Sequence, residues 1–236
     1  MEQSVMASRG WPATLRLVRH AESTGNVDAD TARRAGQEMW KTEARDPDVD
    51  LSPAGRSQAR ELGHALAGLP EDDIPTSLWS SPFLRARETA SLALAGGGTD
   101  WSGIRWTVDE RLRDRELGVL DRLTGLGIKA RYPELAELRM RMGKFYFRPP
   151  GGESWVDVGQ RLRTVLDDIR DQHQGESVII FAHDVVVLMF RYIIEGLDEA
   201  AILEIGRKEP VRNCGVTTYR SNGGRLRLAS YNQMAP

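Results

Sequence analysis

The chain has 236 residues, 40% of them hydrophobic and 28% charged, enough to bury about 70% of the surface that the unfolded chain exposes. Lys+Arg 32 against Asp+Glu 34 gives a formal net charge of −2, so no global positive field gathers nucleic acid or an anionic membrane. One cysteine, Cys214, excludes an intramolecular disulfide and a cysteine-based zinc cluster, and the expected compartment is a reducing cytoplasm.

In chain order, residues 1–13 read as a flexible N-terminal tail, with an acid at Glu2 and no apolar run of the kind a secretory signal carries. Residues 14–236 read as a single domain, since no internal repeat interrupts them. Leu15-Arg16-Leu17-Val18 is a short β-favouring run and Val178 to Ala182 a second, almost continuously apolar, and both predict buried central strands. Ser77 to Ser80 and Ile104 to Val108 are weaker strand candidates. Gly215 to Arg220 and Arg225 to Leu228 flank Ser221-Asn222-Gly223-Gly224, whose Asn-Gly chemistry predicts an antiparallel hairpin.

Helices fill the intervals. Ser52-Pro53 supplies an N-cap and a first-turn proline ahead of apolar Ala59, Leu62, Leu66 and Leu69. Ser154 to His173 places Trp155, Val158, Leu162, Val165, Leu166 and Ile169 at helical spacing, and Leu84 to Leu94 and Val185 to Ile194 complete the set. Strands alternating with helices predict an α/β fold: an open, mostly parallel sheet flanked by helices, with an antiparallel C-terminal edge and the site at the strand C-terminal ends. Residues 120–150 break the alternation with helical patches and read as an insertion over that site. The most apolar stretch, from Val178 to Ile194, is interrupted by His183, Asp184 and Arg191, so no membrane span is expected.

Two histidines end the two strongest strands. His20 follows Arg19 in Leu17-Val18-Arg19-His20-Ala21-Glu22-Ser23-Thr24-Gly25-Asn26, and His183 follows Phe181-Ala182. An open sheet brings both strand ends to one pocket. Zinc ligation is the competing reading, but the Arg19 guanidinium beside His20 opposes a cation and favours a phosphate, so no metal and no cofactor are expected.

The string at 17–26 resembles the Arg-His-Gly-Glu-Ser motif of the histidine phosphatase superfamily, which includes cofactor-dependent phosphoglycerate mutases. The resemblance continues, in family order, through Leu51-Ser52-Pro53-Ala54-Gly55, Ser81-Pro82-Phe83-Leu84-Arg85-Ala86-Arg87-Glu88-Thr89-Ala90, Gly151-Gly152-Glu153-Ser154 and Ala182-His183-Asp184. It implies a phosphoglycerate mutase-like fold and a phosphomonoester hydrolase that works through a phosphohistidine on a small phosphorylated metabolite. His20 is then the nucleophile, Arg19 and Arg85 clamp the phosphoryl oxygens and favour neutral imidazole, and His183 donates to the same oxygens. Asn26 matches the motif asparagine and adds an amide donor, with Ser23 and Thr24 ranked behind it as substrate-binding residues.

The family's proton donor falls in Asp109 to Gly118, where Asp114 is the first choice and Glu116 the rival. Most members with this pattern have Glu at that point, and Gly where this chain has Ala21, Ala182 and Asp184. Arg113 and Arg115 are expected to oppose protonation of the acid. Leu123-Thr124-Gly125-Leu126 resembles a mutase string but lies far from the proposed acid. Two alternatives stand beside the phosphatase reading: a phosphoglycerate mutase, and a catalytically silent phosphate-binding regulatory domain.

Overall fold

The computed structural model describes residues 10–98 and 100–234. Its strands are β1 (Thr14–Arg19), β2 (Ser77–Ser80), β3 (Arg105–Val108), β4 (Ser177–Ala182), β5 (Val216–Asn222) and β6 (Arg225–Gln233). Its α-helices are α1 (Thr24–Arg34), α2 (Pro53–Ala67), α3 (Leu84–Ala95), α4 (Gly125–Arg131), α5 (Pro133–Tyr146), α6 (Trp155–Gln172), α7 (Asp184–Glu195) and α8 (Glu199–Lys208). The strands form one sheet in the order β3-β2-β4-β1-β5-β6. β1 to β4 run parallel, and β5 and β6 turn antiparallel at one edge. The expected fold class is the one observed.

β4 is central because every one of its residues is buried. Alternation sends Val178, Ile180 and Ala182 into a core built with α6 and α7, and Ile179 and Phe181 into a second core built with α2 and α3. β1 carries a charge through the same interior: Arg16 is buried, and its guanidinium donates to Asp73 O at 2.8 Å and Ser177 Oγ at 3.0 Å, with the Asp73 carboxylate beside it. At the far edge the hairpin turns on Gly223 and Gly224, both at positive φ, with Asn222 paired to Arg225. The two glycines are thus the loop, and Asn222 ends its strand.

Two helices fall outside the periodicity reading. α1 buries only Ala29 and Ala32, and α8 only Ile202, so neither writes a strong apolar stripe. Positions 1–9 of the expected tail lie outside the described residues. Residues 10–13 are held by the body instead: Gly10 N donates to Arg170 O, Gly175 N to Trp11 O and Ser221 N to Ala13 O.

Candidate active site

The parallel ladder continues one residue past its strand ends. His20 N donates to Ala182 O at 2.9 Å and Ser81 N to Phe181 O at 2.9 Å, so His20, Ser81 and His183 come together where β1, β2 and β4 stop. The rings of His20 and His183 lie 5.2 Å apart between centroids. Arg85 enters from the first turn of α3, its guanidinium 4.9 Å from the Phe83 ring, which itself packs on His183. Local close packing keeps this geometry. A Cβ at Gly55 would meet Glu22 O at 1.9 Å, so only glycine lets α2 press its N-terminus against the loop after His20. Ser52 caps that helix while donating to Glu22 Oε1 at 2.6 Å.

Polar contacts set the state of both imidazoles. His20 Nδ1 lies 2.7 Å from Ala21 O; a carbonyl only accepts, so Nδ1 carries the proton and Nε2 keeps its lone pair. Ser81 Oγ accepts from Phe83 N and meets His183 Nε2 at 2.9 Å; a hydroxyl can accept twice, so this contact suits either tautomer, and it is Asp114 Oδ2, 3.4 Å from Nδ1, that favours the N–H at His183 Nδ1. Beyond that 3.4 Å approach His183 Nδ1, which is buried, makes no hydrogen bond among the described residues, and neither does Arg19 Nε. Burial, then Arg85, His183 and Arg19 push the His20 pKa well below its ordinary value; burial, then Arg85, Arg161 and Arg19 do the same to His183. Both rings are neutral at neutral pH.

The two candidate acids separate in space. Asp114 Oδ2 lies 3.1 Å from Arg85 Nη2 and 3.4 Å from His183 Nδ1, while Oδ1 accepts from Arg115 N at 2.8 Å. Glu116 sits on the rim, its carboxylate 4.0 Å from Arg113 and its amide bound to Glu153 Oε2. Burial and the facing Asp46 raise its pKa. Arg113 reaches Glu153 at 2.8 Å, and Arg115 donates to the Glu153 and Phe147 carbonyls.

A cavity of about 360 Å³ opens here, with Arg19, His20, Ser23, Asn26, Arg85 and Asp114 in its wall. Asn26 Oδ1 accepts from Ser23 N and from Asn213 Nδ2, leaving the Asn26 amide N–H₂ for a ligand. Ser23 caps α1 through its hydroxyl. The Thr24 hydroxyl turns instead to Asp50 Oδ1 at 2.9 Å. Asp184 accepts from Val185 N in the first turn of α7, whose N-cap is His183. Arg139, Arg141 and Arg148 stay off the wall; the rim arginines are Arg33, Arg115 and Arg122.

Several residues of the site were given no role by the sequence. Asn213 donates to His20 O at 2.9 Å, and Thr89 Oγ1, within the motif string 81–90, accepts from Ala21 N, so both brace the loop after β1. Asp46 reaches Arg85 Nη1 through its carbonyl at 2.7 Å and Oδ1 at 3.0 Å. Burial raises its pKa, Arg85 pulls it down and Asp114 raises it again, with a net upward shift. The connection that carries it, 35–52, covers the cavity with Trp40 and Thr42. Arg122 straps it down by donating to Thr42 O at 2.9 Å and Ala44 O at 2.8 Å. Thr124, in the string that resembles a mutase motif, points at the Gln37 and Glu38 carbonyls and caps α4. Gly127 follows it because a Cβ there would meet Glu38 O at 1.9 Å.

Comparison with known proteins gives the same picture at the level of the whole chain. The family model of the histidine phosphatase superfamily (branch 1) matches residues 15–234. Phosphoglycerate mutase-like protein 4 of Arabidopsis thaliana is 28% identical over 197 residues, covering 79% of this chain and 76% of that protein. The 2,3-bisphosphoglycerate-dependent phosphoglycerate mutase of Rhizobium meliloti (strain 1021) is 30% identical over 196 residues, covering 81% and 84%. Among other relatives the shared region spans as little as 20% of the relative's length. A mycobacterial glucosyl-3-phosphoglycerate phosphatase, solved in complex with VO3, superposes with a TM-score of 0.69 at 26% identity, covering 93% of this chain and 99% of that one.

Proposed function

The chain belongs to the histidine phosphatase superfamily, and from that premise we propose that it is a metal-independent phosphomonoester hydrolase acting through a phosphohistidine at His20 on a small phosphorylated metabolite. The observation that carries the reading is the fixed tautomer of His20, whose Nδ1–H is held by Ala21 O while Nε2 keeps its lone pair as the nucleophile. Two buried nitrogens that make no hydrogen bond among the described residues, Arg19 Nε and His183 Nδ1, suit the oxygens of a phosphoryl group.

In the first half-reaction His20 Nε2 attacks phosphorus in line. The N–P bond forms, the ester P–O bond breaks, and Asp114 gives its proton to the leaving oxygen. The imidazolium that results is stabilised by the Ala21 carbonyl at Nδ1. Arg19, Arg85 and His183 hold the equatorial oxygens, where charge gathers in the transition state. In the second half-reaction a water oxygen bonds to phosphorus, the N–P bond breaks, and the water proton passes to Asp114. Asp114 is favoured over Glu116 because it lies on both Arg85 and His183, whereas Glu116 lies on Arg113.

A mutase has a listener in the named relatives but less support in the site, since Thr124 of the mutase-like string caps a helix. The experiment is a base-quenched labelling of His20 with an activated phosphoryl donor, alongside phosphate release from a panel of esters in EDTA. Isomerisation of 3-phosphoglycerate, with and without 2,3-bisphosphoglycerate, is measured beside it. Phosphoenzyme and metal-independent release are expected. Isomerisation faster than hydrolysis overturns the reading in favour of a mutase, and phosphate binding without any label at His20 overturns it in favour of a silent binding domain.

A further inference from the structure

We propose that Asp46 sets the substrate class of this site, reserving it for phosphomonoesters whose leaving group is uncharged or cationic and rejecting those that carry a second anion beside the ester. The inference rests on the phosphatase reading and narrows it. Arg85 is buried to its guanidinium, and both of its terminal nitrogens already face a carboxylate: Nη1 faces Asp46 and Nη2 faces Asp114. A phosphoryl oxygen that binds Arg85 has to share that edge. Asp114 has a second anchor in the Arg115 amide. The Asp46 side chain is 44% exposed and among the described residues its carboxylate is anchored at Arg85 alone, so it yields first, into the open cavity that it lines.

There it cannot go far. The Asp46 carbonyl is also bound to Arg85, and the strap before it is tied by Arg122 at Thr42 and Ala44. The displaced carboxylate stays beside the substrate, with Glu116 opposite. The wall cations left over for a second substrate anion have N–H groups already engaged and face the wall carboxylates Asp46, Glu116, Asp121 and Asp184. Arg19 and Arg85 serve the phosphoryl group, Arg122 and Arg115 bind main-chain carbonyls, and Arg33 pairs with Asp30. A leaving group with hydroxyls or an ammonium finds acceptors at Asp46, whereas a carboxylate or second phosphate meets a like charge in a partly desolvated space. This sets the chain apart from relatives named for phosphoglycerates, substrates that carry a carboxylate.

Glycerol 3-phosphate and 3-phosphoglycerate differ only by a hydroxymethyl group against a carboxylate, which makes them the probes. Their inhibition constants against p-nitrophenyl phosphate hydrolysis are measured for the wild type, Asp46→Asn, Glu116→Gln and Asp167→Asn, the last removing an exposed charge on α6 outside the cavity. The wild type is expected to bind glycerol 3-phosphate at least tenfold more tightly. Asp46→Asn cuts that ratio at least fivefold by improving 3-phosphoglycerate, Glu116→Gln cuts it less, and Asp167→Asn leaves it in place. A wild-type ratio near one, a ratio unmoved by Asp46→Asn, or an equal shift from Asp167→Asn overturns the assignment while p-nitrophenyl phosphate turnover continues. Loss of all turnover and of the His20 label in the wild type marks the other failure, that of the phosphatase reading, and removes this inference with it.

Discussion

The floor of the cavity and its cover are held by different forces. His20, His183 and Arg85 are buried, fixed by the sheet ladder, by ring packing and by side-chain hydrogen bonds that leave each group one orientation. The cover, residues 37–46 with 118–124, is half-exposed and hangs on main-chain carbonyls that accept from Arg122 and Thr124. A rigid floor suits the phosphoryl group, which is the same in every phosphomonoester. A cover tied by a few replaceable contacts suits the leaving group, which differs from one substrate to the next.

The division is tested most severely at His20. His20→Asn keeps an N–H donor for Ala21 O but removes the proposed nucleophile, so hydrolysis of every ester is expected to fall by about 10⁴-fold or more. Phosphate release measured beside circular dichroism checks it; a folded variant within tenfold of wild type would break the comparison at its strongest point. Asp114 stands at the junction, on the floor through Arg85 and His183 and next to the cover through its neighbour Arg115. Asp114→Asn is expected to slow alkyl phosphates by about 10²–10⁴-fold and p-nitrophenyl phosphate, whose leaving group departs without a proton, far less. Equal losses on both substrates would move the proton donor elsewhere, with Glu116 the next to try.

The same division explains how much the sequence revealed. The two histidines of the floor are legible because they sit one position past strands with strong local signals, His20 after Leu15 to Arg19 and His183 after Val178 to Ala182, whereas Arg85, in the first turn of α3, is legible only through the family resemblance. A chemistry-bearing residue at the C-terminal end of a buried parallel strand is readable once the strand is. The cover is illegible because Asp46 and Arg122 are placed by contacts between distant segments, 39 positions apart for Asp46 and Arg85 and 78 for Arg122 and Ala44, and the segment of neither Asp46 nor Arg122 has periodicity. Asn213 escaped for the same reason, being 193 positions from the His20 carbonyl that it braces. α1 escaped differently: its capping box is written in Ser23 and Asn26, but with two buried alanines its apolar stripe is too thin to announce a helix.

The buried histidines make the floor sensitive to acid. Both have folded pKa values below the ordinary value of about 6.5, so between pH 6.5 and their native values the unfolded chain binds protons that the native chain does not. Stability therefore falls as pH drops through this window, by up to about 1.4 kcal/mol per pH unit for each ring, a tenfold change in the folding equilibrium. The sign is the reverse of a histidine stabilised by a carboxylate partner. Thermal unfolding in phosphate-free buffer at pH 7.5, 6.5 and 5.5 is expected to show this slope in the wild type and a flatter one in the double variant His20→Asn/His183→Gln. Parallel slopes would place the acid sensitivity outside the site.

The smallest effect belongs to the strap. Arg122 touches two carbonyls of the cover and no residue of the floor, so Arg122→Ala should leave the reacting groups where they are and release the segment that carries Trp40, Thr42 and Asp46. Losing two half-buried hydrogen bonds costs about 1 kcal/mol after water replaces them, which corresponds to a rise of roughly fivefold in KM if the closed cover is the form that binds the leaving group. kcat for p-nitrophenyl phosphate should move much less, because the residues proposed to hold the phosphoryl group are Arg19, Arg85 and His183. Arg122→Lys tests the geometry separately from the charge: one ammonium reaches one carbonyl well but not both Thr42 and Ala44 at once, so its KM should fall between those of wild type and Arg122→Ala. If Arg122→Ala instead lowered kcat tenfold with KM unchanged, the cover would be acting on the transition state, and the separation of a chemical floor from a selective cover would fail.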